Sequence, residues 1–220
     1  MRTATIIITI IATSRTSMTD YVRDPAEITR LSFAAIRREA DLSRLPADIE
    51  PMALRMIHAC GMIDLPDDLA FSPGAGEAGR DALAKGAPIL TDVAMVARGI
   101  AARRLPAGNE VLCTLGDDGV EARAREAGMT RSAAAVELWR PKLAGAIVAI
   151  GNAPTALFRL LEILAEGNAR PALVIATPPG FIGAAESKEA LVANDLGLAH
   201  IALKGRRGGS ALAAAAVNGL

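Results

Sequence analysis

The chain has 220 residues, of which 51% are hydrophobic and 22% charged, and its 24 basic and 24 acidic side chains leave a formal net charge of +0. This composition supplies a large core for one α/β domain and excludes wholesale disorder, while the charge balance gives no electrostatic footprint for nucleic acid or an acidic membrane. The basic residues are 20 Arg and 4 Lys. Arg binds carboxylates bidentately, although a biased genome composition is an alternative source of this excess.

The first 17 residues contain an Ile-rich run that is too short for a membrane span and is not followed by a clear A-x-A signal-peptide cleavage site. We expect residues 1–17 to be an extension outside the fold and residues 18–220 to form a single domain. An added strand and a signal peptide are the alternatives. Cys60 and Cys113 show no C-x-x-C motif and no His/Cys cluster. We therefore expect no metal site and no disulfide framework, as in a reduced, cytoplasmic protein.

Two helices are predicted next. Asp24 is the expected N-cap of the first, with Pro25 at the first helical position and Glu27 as the capping-box acid. The second runs from Asp48 to Cys60, and Gly61 fits the position that ends a helix. Residues spaced for one buried stripe support the second helix: Ile49, Met52, Ala53, Met56 and Cys60.

Five short apolar runs then alternate with helical segments: "PILT", "VLCTL", "AGAIVAIG", "PALVIA" and "HIALK". This pattern predicts an α/β fold, with an open, mostly parallel sheet of about five strands, helices on both faces and an N-terminal helical segment before it. In such sheets ligands bind outside the carboxyl ends of the strands. The polar and Gly-containing loops after the runs should therefore converge on one cleft.

Three of those loops carry candidate ligand-binding groups. "GRRGGSA" follows the last run and opens a helix, which favours an anion, although a tight turn with a solvated Arg pair is the alternative. It is neither a Walker A loop nor a dinucleotide fingerprint. "TRSAA" and "GNAPTALF" offer Thr130, Ser132, Asn152 and Thr155, each of which is alternatively a simple helix cap. Together the loops indicate a pocket for a large polyanionic ligand.

His58 lies in the last predicted turn of the second helix. It is two positions from Cys60, so the two side chains point to different faces and do not form a metal site. We place His58 on a face with Leu54 and Arg55, away from the buried stripe. There the helix dipole favours a cationic imidazole by ~0.3–1 kcal/mol, which suits a proton donor. An ordinary surface histidine is the alternative, and His200 is interpreted as structural.

Several segments in unbroken order, from about Tyr21 to Asn218, resemble the precorrin-8X methylmutase (precorrin isomerase) family of cobalamin biosynthesis. They include "RMIHACG", "APILTDVAMVARGI", "AIGNAPTALFRLLE", "GFIGAAESKEAL" and "GRRGGSALAAAAVN". The resemblance implies an isomerase that moves a methyl group from C-11 to C-12 of precorrin-8X to give hydrogenobyrinic acid. It also implies a homodimer with active sites near the subunit interface, and no redox or methyl-donor cofactor. The residues leave open whether the corrinoid substrate is metal-free or carries cobalt.

The resemblance places the family's proton donor and acceptor on His58. An intact histidine motif favours the enzyme over the alternative, a non-catalytic binding protein for a polycarboxylate corrinoid intermediate. Three features depart from the family pattern: Thr91, where a cysteine is expected, the Pro178-Pro179 pair, which would stiffen its loop, and residues 1–17, which have no family counterpart. The candidate substrate contacts, assigned by chemistry and position, are Ser32, Arg55, Asp92, Thr130, Arg131, Asn152, Ser187, Lys188, Arg206 and Ser210.

Overall fold

The computed structural model describes residues 21–167 and 169–220. The expected extension at residues 1–17 therefore lies outside the described residues. The sheet is built from β1 (Leu69–Phe71), β2 (Ile89–Thr91), β3 (Val111–Leu112), β4 (Ile147–Ile150), β5 (Leu173–Ala176) and β6 (His200–Leu203). Its order is β1-β6-β5-β4-β2-β3, and every pairing is parallel except the antiparallel pair of β1 with β6.

The predicted mostly parallel sheet is confirmed, since the five apolar runs correspond to β2 through β6. The sixth strand, β1, was not predicted. It has only three residues and lies between Pro66 and Pro73, so it shows neither a long apolar run nor an alternating pattern. β1 nevertheless pairs in register with the last strand, Leu69 facing Leu203, and becomes an edge of the sheet.

Helices cover both faces of the sheet. One face carries α1 to α4 and α9, and the other carries α6, α7 and α8, with α5 packed against α6. Alternate residues of one strand serve the two layers, because Ile147 of β4 joins the first core and Val148 the second. The helices are α1 (Pro25–Glu39), α2 (Glu50–Cys60), α3 (Ala75–Ala84), α4 (Ala94–Gly99), α5 (Val120–Glu126), α6 (Arg131–Glu137), α7 (Pro154–Glu166), α8 (Ala184–Val192) and α9 (Ser210–Asn218).

The ends of α1 and α2 follow their predicted capping chemistry. Asp24 caps α1 by accepting a 3.0 Å hydrogen bond from the Glu27 amide. Gly61 ends α2 in the left-handed region at φ 72°, which a residue with a side chain rarely adopts. α2 starts at Glu50, two residues later than predicted, because Asp48 accepts a hydrogen bond from the Gly76 amide at the start of α3 instead.

The buried stripe of α2 is also confirmed, with Cys60 half-buried at its end. One detail of the prediction is wrong. Leu54 is only 2% exposed and joins the core, so it does not share the outward face of Arg55 and His58. The apolar face of α2 is therefore wider than the stripe alone, because α2 packs on both α1 and α9.

α2 directs His58 toward the edge of the sheet where the parallel strands end. β1 begins shortly after α2, and its first residue pairs with the last residue of β6. At the other end of α2, Gly219 lies so close that an added Cβ would come 2.5 Å from the Met52 Cα. Helices α2 and α9 therefore run antiparallel, and the last turn of α2 lies toward the start of α9. No helix in residues 21–167 or 169–220 is long and apolar enough to cross a bilayer.

Candidate functional site

His58 lies at a groove between α1 and α2. The imidazole is solvent-exposed in the last turn of α2, and its ring meets the Phe33 ring edge-on, with centroids 5.4 Å apart and an interplanar angle of 86°. The guanidinium of Arg55 lies over the same Phe33 ring at 5.4 Å. A cavity of about 270 Å³ opens beside His58, and Ser32 and Ile63 also line it. The structure thus brings together three of the predicted residues, Ser32, Arg55 and His58.

Phe33 is a site residue that the sequence analysis missed. A single aromatic residue on an amphipathic helix gives the same signal as an ordinary core residue. Its contacts with Arg55 and His58 become visible only when α1 packs against α2. Phe33 restricts the orientation of both side chains from one side and leaves the other side of the imidazole open to the groove.

A second group of predicted residues lies where the loops lead into α6 and α7. Thr130 caps α6 by accepting a hydrogen bond from the Ala133 amide, and its hydroxyl bonds to the Thr155 hydroxyl at 2.8 Å. Arg131, the first residue of α6, and Asn152, in the loop before α7, are exposed. The alternative interpretation of Thr130 as a helix cap is therefore confirmed, and the hydroxyl pair joins the start of α6 to the first turn of α7.

The loop between β6 and α9 packs tightly against the end of β5. The Gly209 amide donates to the Thr177 carbonyl at 2.7 Å, and the Thr177 hydroxyl donates to the Gly209 carbonyl at 3.2 Å. A Cβ added to Gly208 would lie 2.2 Å from the Thr177 carbonyl oxygen. Only glycine allows this close approach, which sets the loop of residues 205–209 at the carboxyl edge of the sheet.

The two arginines of that loop differ in their surroundings. Arg207 pairs with two carboxylates, Asp64 at 2.8 Å and Asp68 at 3.2 Å. Arg206 is exposed, lies over the Phe181 ring at 5.2 Å, and has no carboxylate within 4.0 Å among the described residues. Arg206 is consequently the arginine of this pair that an incoming anion can reach. Asp64 lies six residues after His58, so the Arg207 pair also joins this loop to the segment that follows α2.

Asp92 does not present its carboxylate to a ligand. The side chain is 2% exposed and accepts hydrogen bonds from the amides of Gly151, Asn152 and Ala153 at 2.8 to 3.0 Å. Burial raises the pKa of this carboxyl, and the three amides oppose that change. Asp92 therefore shapes the loop that leads into α7. The neighbouring Thr91, found where a cysteine was expected, is buried and donates to the Leu112 carbonyl of β3 at 2.8 Å.

Three further predicted contacts are buried. Ser187 donates within its own helix to the Ala184 carbonyl at 3.2 Å, and Lys188 donates to the Arg207 carbonyl at 2.9 Å. Ser187 and Lys188 are both 0% exposed, and Ser210 in the first turn of α9 is 8% exposed. The structure therefore leaves the solvent-facing part of the predicted set to Ser32, Arg55, Thr130, Arg131, Asn152 and Arg206.

The site combines an exposed imidazole with solvent-accessible arginine side chains. In residues 21–167 and 169–220, no group of three or more His, Cys, Asp or Glu side chains is arranged to hold a metal ion. His58 and Glu39 are the exposed titratable side chains that line the groove, Arg55 supplies positive charge from α2, and Arg206 supplies it from the loop of residues 205–209. This arrangement suits proton transfer to a bound polyanion.

Comparison with known proteins identifies the relatives of this chain. The sequence model of the CbiC family, precorrin-8X methylmutase, matches residues 27–220. The precorrin-8X methylmutase of Pseudomonas aeruginosa is 60% identical over 92% of this chain and 98% of its own length. The precorrin-8X methylmutase of a Sinorhizobium species is 54% identical over 91% of this chain and 96% of its own length. A crystal structure of precorrin-8X methylmutase from Thermus thermophilus superposes with a TM-score of 0.81 at 40% identity, covering 88% of this chain and 93% of that one.

Proposed function

Because the chain belongs to the precorrin-8X methylmutase family, it is an isomerase of cobalamin biosynthesis, and we propose that His58 is the general acid of its reaction. The reaction moves a methyl group from C-11 to C-12 of precorrin-8X and gives hydrogenobyrinic acid. The observation that carries the assignment is the place of the imidazole. It is exposed in a groove between α1 and α2, in the last turn of α2, where a bound ligand can reach it.

Protonation explains how one side chain can drive a methyl migration. As the bond to C-11 breaks and the bond to C-12 forms, the conjugated ring must accept a change in electron density. A proton donated by His58 to ring C withdraws density from the migrating system and returns to the imidazole afterwards, so the step consumes no cofactor. Positioned acids of this kind contribute typically ~10²- to 10⁴-fold in rate.

The loops at the carboxyl edge supply binding rather than chemistry. The substrate carries carboxylates around an apolar ring system. Three exposed residues lie on loops at that edge, namely Thr130, Asn152 and Arg206, and Arg131 follows Thr130 in the first turn of α6. Phe181 and Ile182, exposed by 83% and 91%, add apolar surface beside Arg206. Binding and catalysis therefore depend on different side chains. Substitutions should be able to reduce substrate binding and the reaction rate independently.

The test of the acid is His58→Ala, assayed by the visible spectrum as precorrin-8X is converted. We expect the variant to bind hydrogenobyrinic acid but to react at least about 100-fold more slowly. His200→Gln is the matched control, since His200 is buried at the amino end of β6 and bonds to the Leu198 carbonyl. A His58→Ala rate above about a tenth of the wild-type rate would contradict the assignment. Product binding without any wild-type turnover would favour a binding protein instead.

The test of the loop is Arg206→Ala. Because exposed charge pairs are screened by salt, this variant should weaken product binding more at low salt than at high salt. Arg103→Ala is the control, since Arg103 is exposed in the segment after α4, near the opposite edge of the sheet. Unchanged affinity of Arg206→Ala at both salt concentrations would show that "GRRGGSA" is only a tight turn and does not bind the product.

We also propose that the natural substrate is metal-free. The relatives that are 60% and 54% identical are precorrin-8X methylmutases, whereas the cobalt-precorrin-8 methylmutases of Salmonella typhimurium and Priestia megaterium are 39% and 35% identical. Incubation of the protein with each form, in separate reactions, tests this directly. Faster conversion of the cobalt form would overturn it.

A homodimer completes the proposal. Exposed apolar side chains gather on α1 and on the segment after α2, and they include Ile28, Leu31 and Ile63, the last of which lines the His58 groove. An isologous interface over this surface would place the site near the partner. Light scattering should show about twice 22.7 kDa, and Leu31→Glu should dissociate the dimer. Val192→Glu, a similar change on α8, is the control, and a wild-type monomer at micromolar concentration would refute the dimer.

Residues 18–220 are proposed as the catalytic domain, in the cytoplasm. The family match over residues 27–220 supports the domain assignment. Cys60 and Cys113 are both free thiols, which fits a reducing compartment.

A further inference from the structure

Lys188 carries a buried ammonium for which the reaction gives no direct use. Its side chain is 0% exposed on α8, and among the described residues its hydrogen-bond acceptor is the Arg207 carbonyl at 2.9 Å. No carboxylate of the described residues lies within 4.0 Å of it. A buried charge with a single neutral acceptor costs free energy of folding, so packing alone would favour an apolar side chain here.

Arg207 is held from two directions at once. Its carbonyl accepts from Lys188, while its guanidinium pairs with Asp64 and Asp68. The next residue, Gly208, is packed against the Thr177 carbonyl. Arg206 lies directly before this anchored stretch, and the Gly180 amide donates to its carbonyl at 3.1 Å. The backbone of Arg206 and of the two residues that follow it is therefore held in place.

We propose that Lys188 is a positioning residue: from beneath the surface it fixes the loop of residues 205–209, and through that loop it sets the affinity for the substrate without touching it. The inference rests on the proposed function, in which Arg206 on this loop holds a substrate carboxylate. A charge-assisted bond to the Arg207 carbonyl is stronger than one from a neutral amine. That difference gives the buried ammonium a use that an apolar side chain would not supply.

The charge of Lys188 makes the proposal sensitive to pH. Burial lowers the pKa of Lys188 to about 8, and the charge of Asp68, before β1, acts in the opposite direction. The Arg207 guanidinium is neutralised by its own carboxylates, and His200 lies at the far end of β6. The charged residues of α7 belong to an ion-pair network with α6, formed by Arg159, Glu162, Glu166, Glu137 and Arg140. As pH rises through about 8, the ammonium loses its proton and the loop loses its charge-assisted anchor.

The experiment measures hydrogenobyrinic acid binding at pH 7 and pH 9.5 for the wild type, Lys188→Met and Lys85→Met. Lys85 is an exposed lysine after α3 and serves as the matched control for loss of one charge. We expect Lys188→Met to raise the Kd at pH 7 about tenfold, the change for loss of one charge-assisted bond, and to abolish its pH dependence. In turnover, KM should rise similarly while kcat stays within about threefold, because His58 is untouched.

The outcomes separate this inference from the proposed function. If the wild type binds the product and Lys188→Met binds it equally well at both pH values, the positioning role is overturned while the enzyme assignment stands. If the wild type does not bind the product, the proposed function itself fails. If Lys188→Met does not fold, the wild-type measurements test the inference alone. Equal wild-type affinity for hydrogenobyrinic acid at pH 7 and pH 9.5 overturns the inference. If the affinity of the wild type does fall between pH 7 and pH 9.5, Cys113→Ser should show the same fall. That result excludes the Cys113 thiol as the source of the pH dependence.

Discussion

Replacing Asp92 with Asn should destabilise the protein by about 2 kcal/mol. The Asn side chain keeps one oxygen for two of the three loop amides and turns its NH₂ group toward the third, which loses its acceptor at a cost of about 1–3 kcal/mol. The other two bonds lose their charge assistance, about 1 kcal/mol each. Removal of the buried negative charge, whose burial raises the pKa of Asp92, offsets part of this loss.

Urea unfolding and calorimetry at pH 7.5 measure the change. At about 2–4 °C per kcal/mol for a chain of this size, the melting temperature should fall by about 4–8 °C. Asp81→Asn, an exposed change on α3, is the control and should stay within about 0.5 kcal/mol of the wild type. A change below about 0.5 kcal/mol in Asp92→Asn would refute the structural role. Unchanged stability with lost product binding would show direct ligand contact.

Three other changes test separate parts of the structure. Folding lowers the pKa of Lys188 from 10.5 to about 8. Between pH 8 and pH 10.5 the unfolded chain therefore binds more protons than the folded protein. The free energy of unfolding should rise by about 1–3 kcal/mol as pH increases over this range. Urea titrations at pH 7.5 and pH 10 should show this rise in the wild type and not in Lys188→Met. Gly208→Ala should lower kcat/KM by about 10²-fold, because its Cβ forces the loop away from Thr177 by about 1 Å; an unchanged kcat/KM would show that the loop yields freely. Deletion of residues 1–17 should leave activity and melting temperature unchanged, and loss of soluble protein would contradict this.

The elements that the sequence predicts well are those with local signals. Asp24 and Gly61 mark helix ends through chemistry that involves residues three or four positions away. The five parallel strands are continuous apolar runs because helices cover both faces of the sheet. β1 had no such signal, since three residues gain their strand character only from pairing with β6, far along the chain.

The residues of the candidate site also differ in whether a local sequence signal predicts them. His58 was predictable from its helix end and from its motif, and the arginine loop from its glycines. The burial of Asp92 was not, because its three amides lie 59 to 61 positions further along the chain. The same is true of Lys188, whose partner carbonyl is 19 positions away. Polar residue types indicate chemistry, but only tertiary packing decides whether a side chain meets a ligand or the backbone.

The two edge strands of the sheet limit how copies of this protein can associate. β1 has three residues and β3 has two. Exposed edges of that length leave few unpaired backbone groups, so they are poor templates for adding a strand from another molecule. Lateral growth of the sheet, the usual route to fibrils, is therefore disfavoured by the shape of the fold itself. Among residues 21–167 and 169–220, association should instead use helix and loop surfaces, where side chains rather than backbone amides decide the partner.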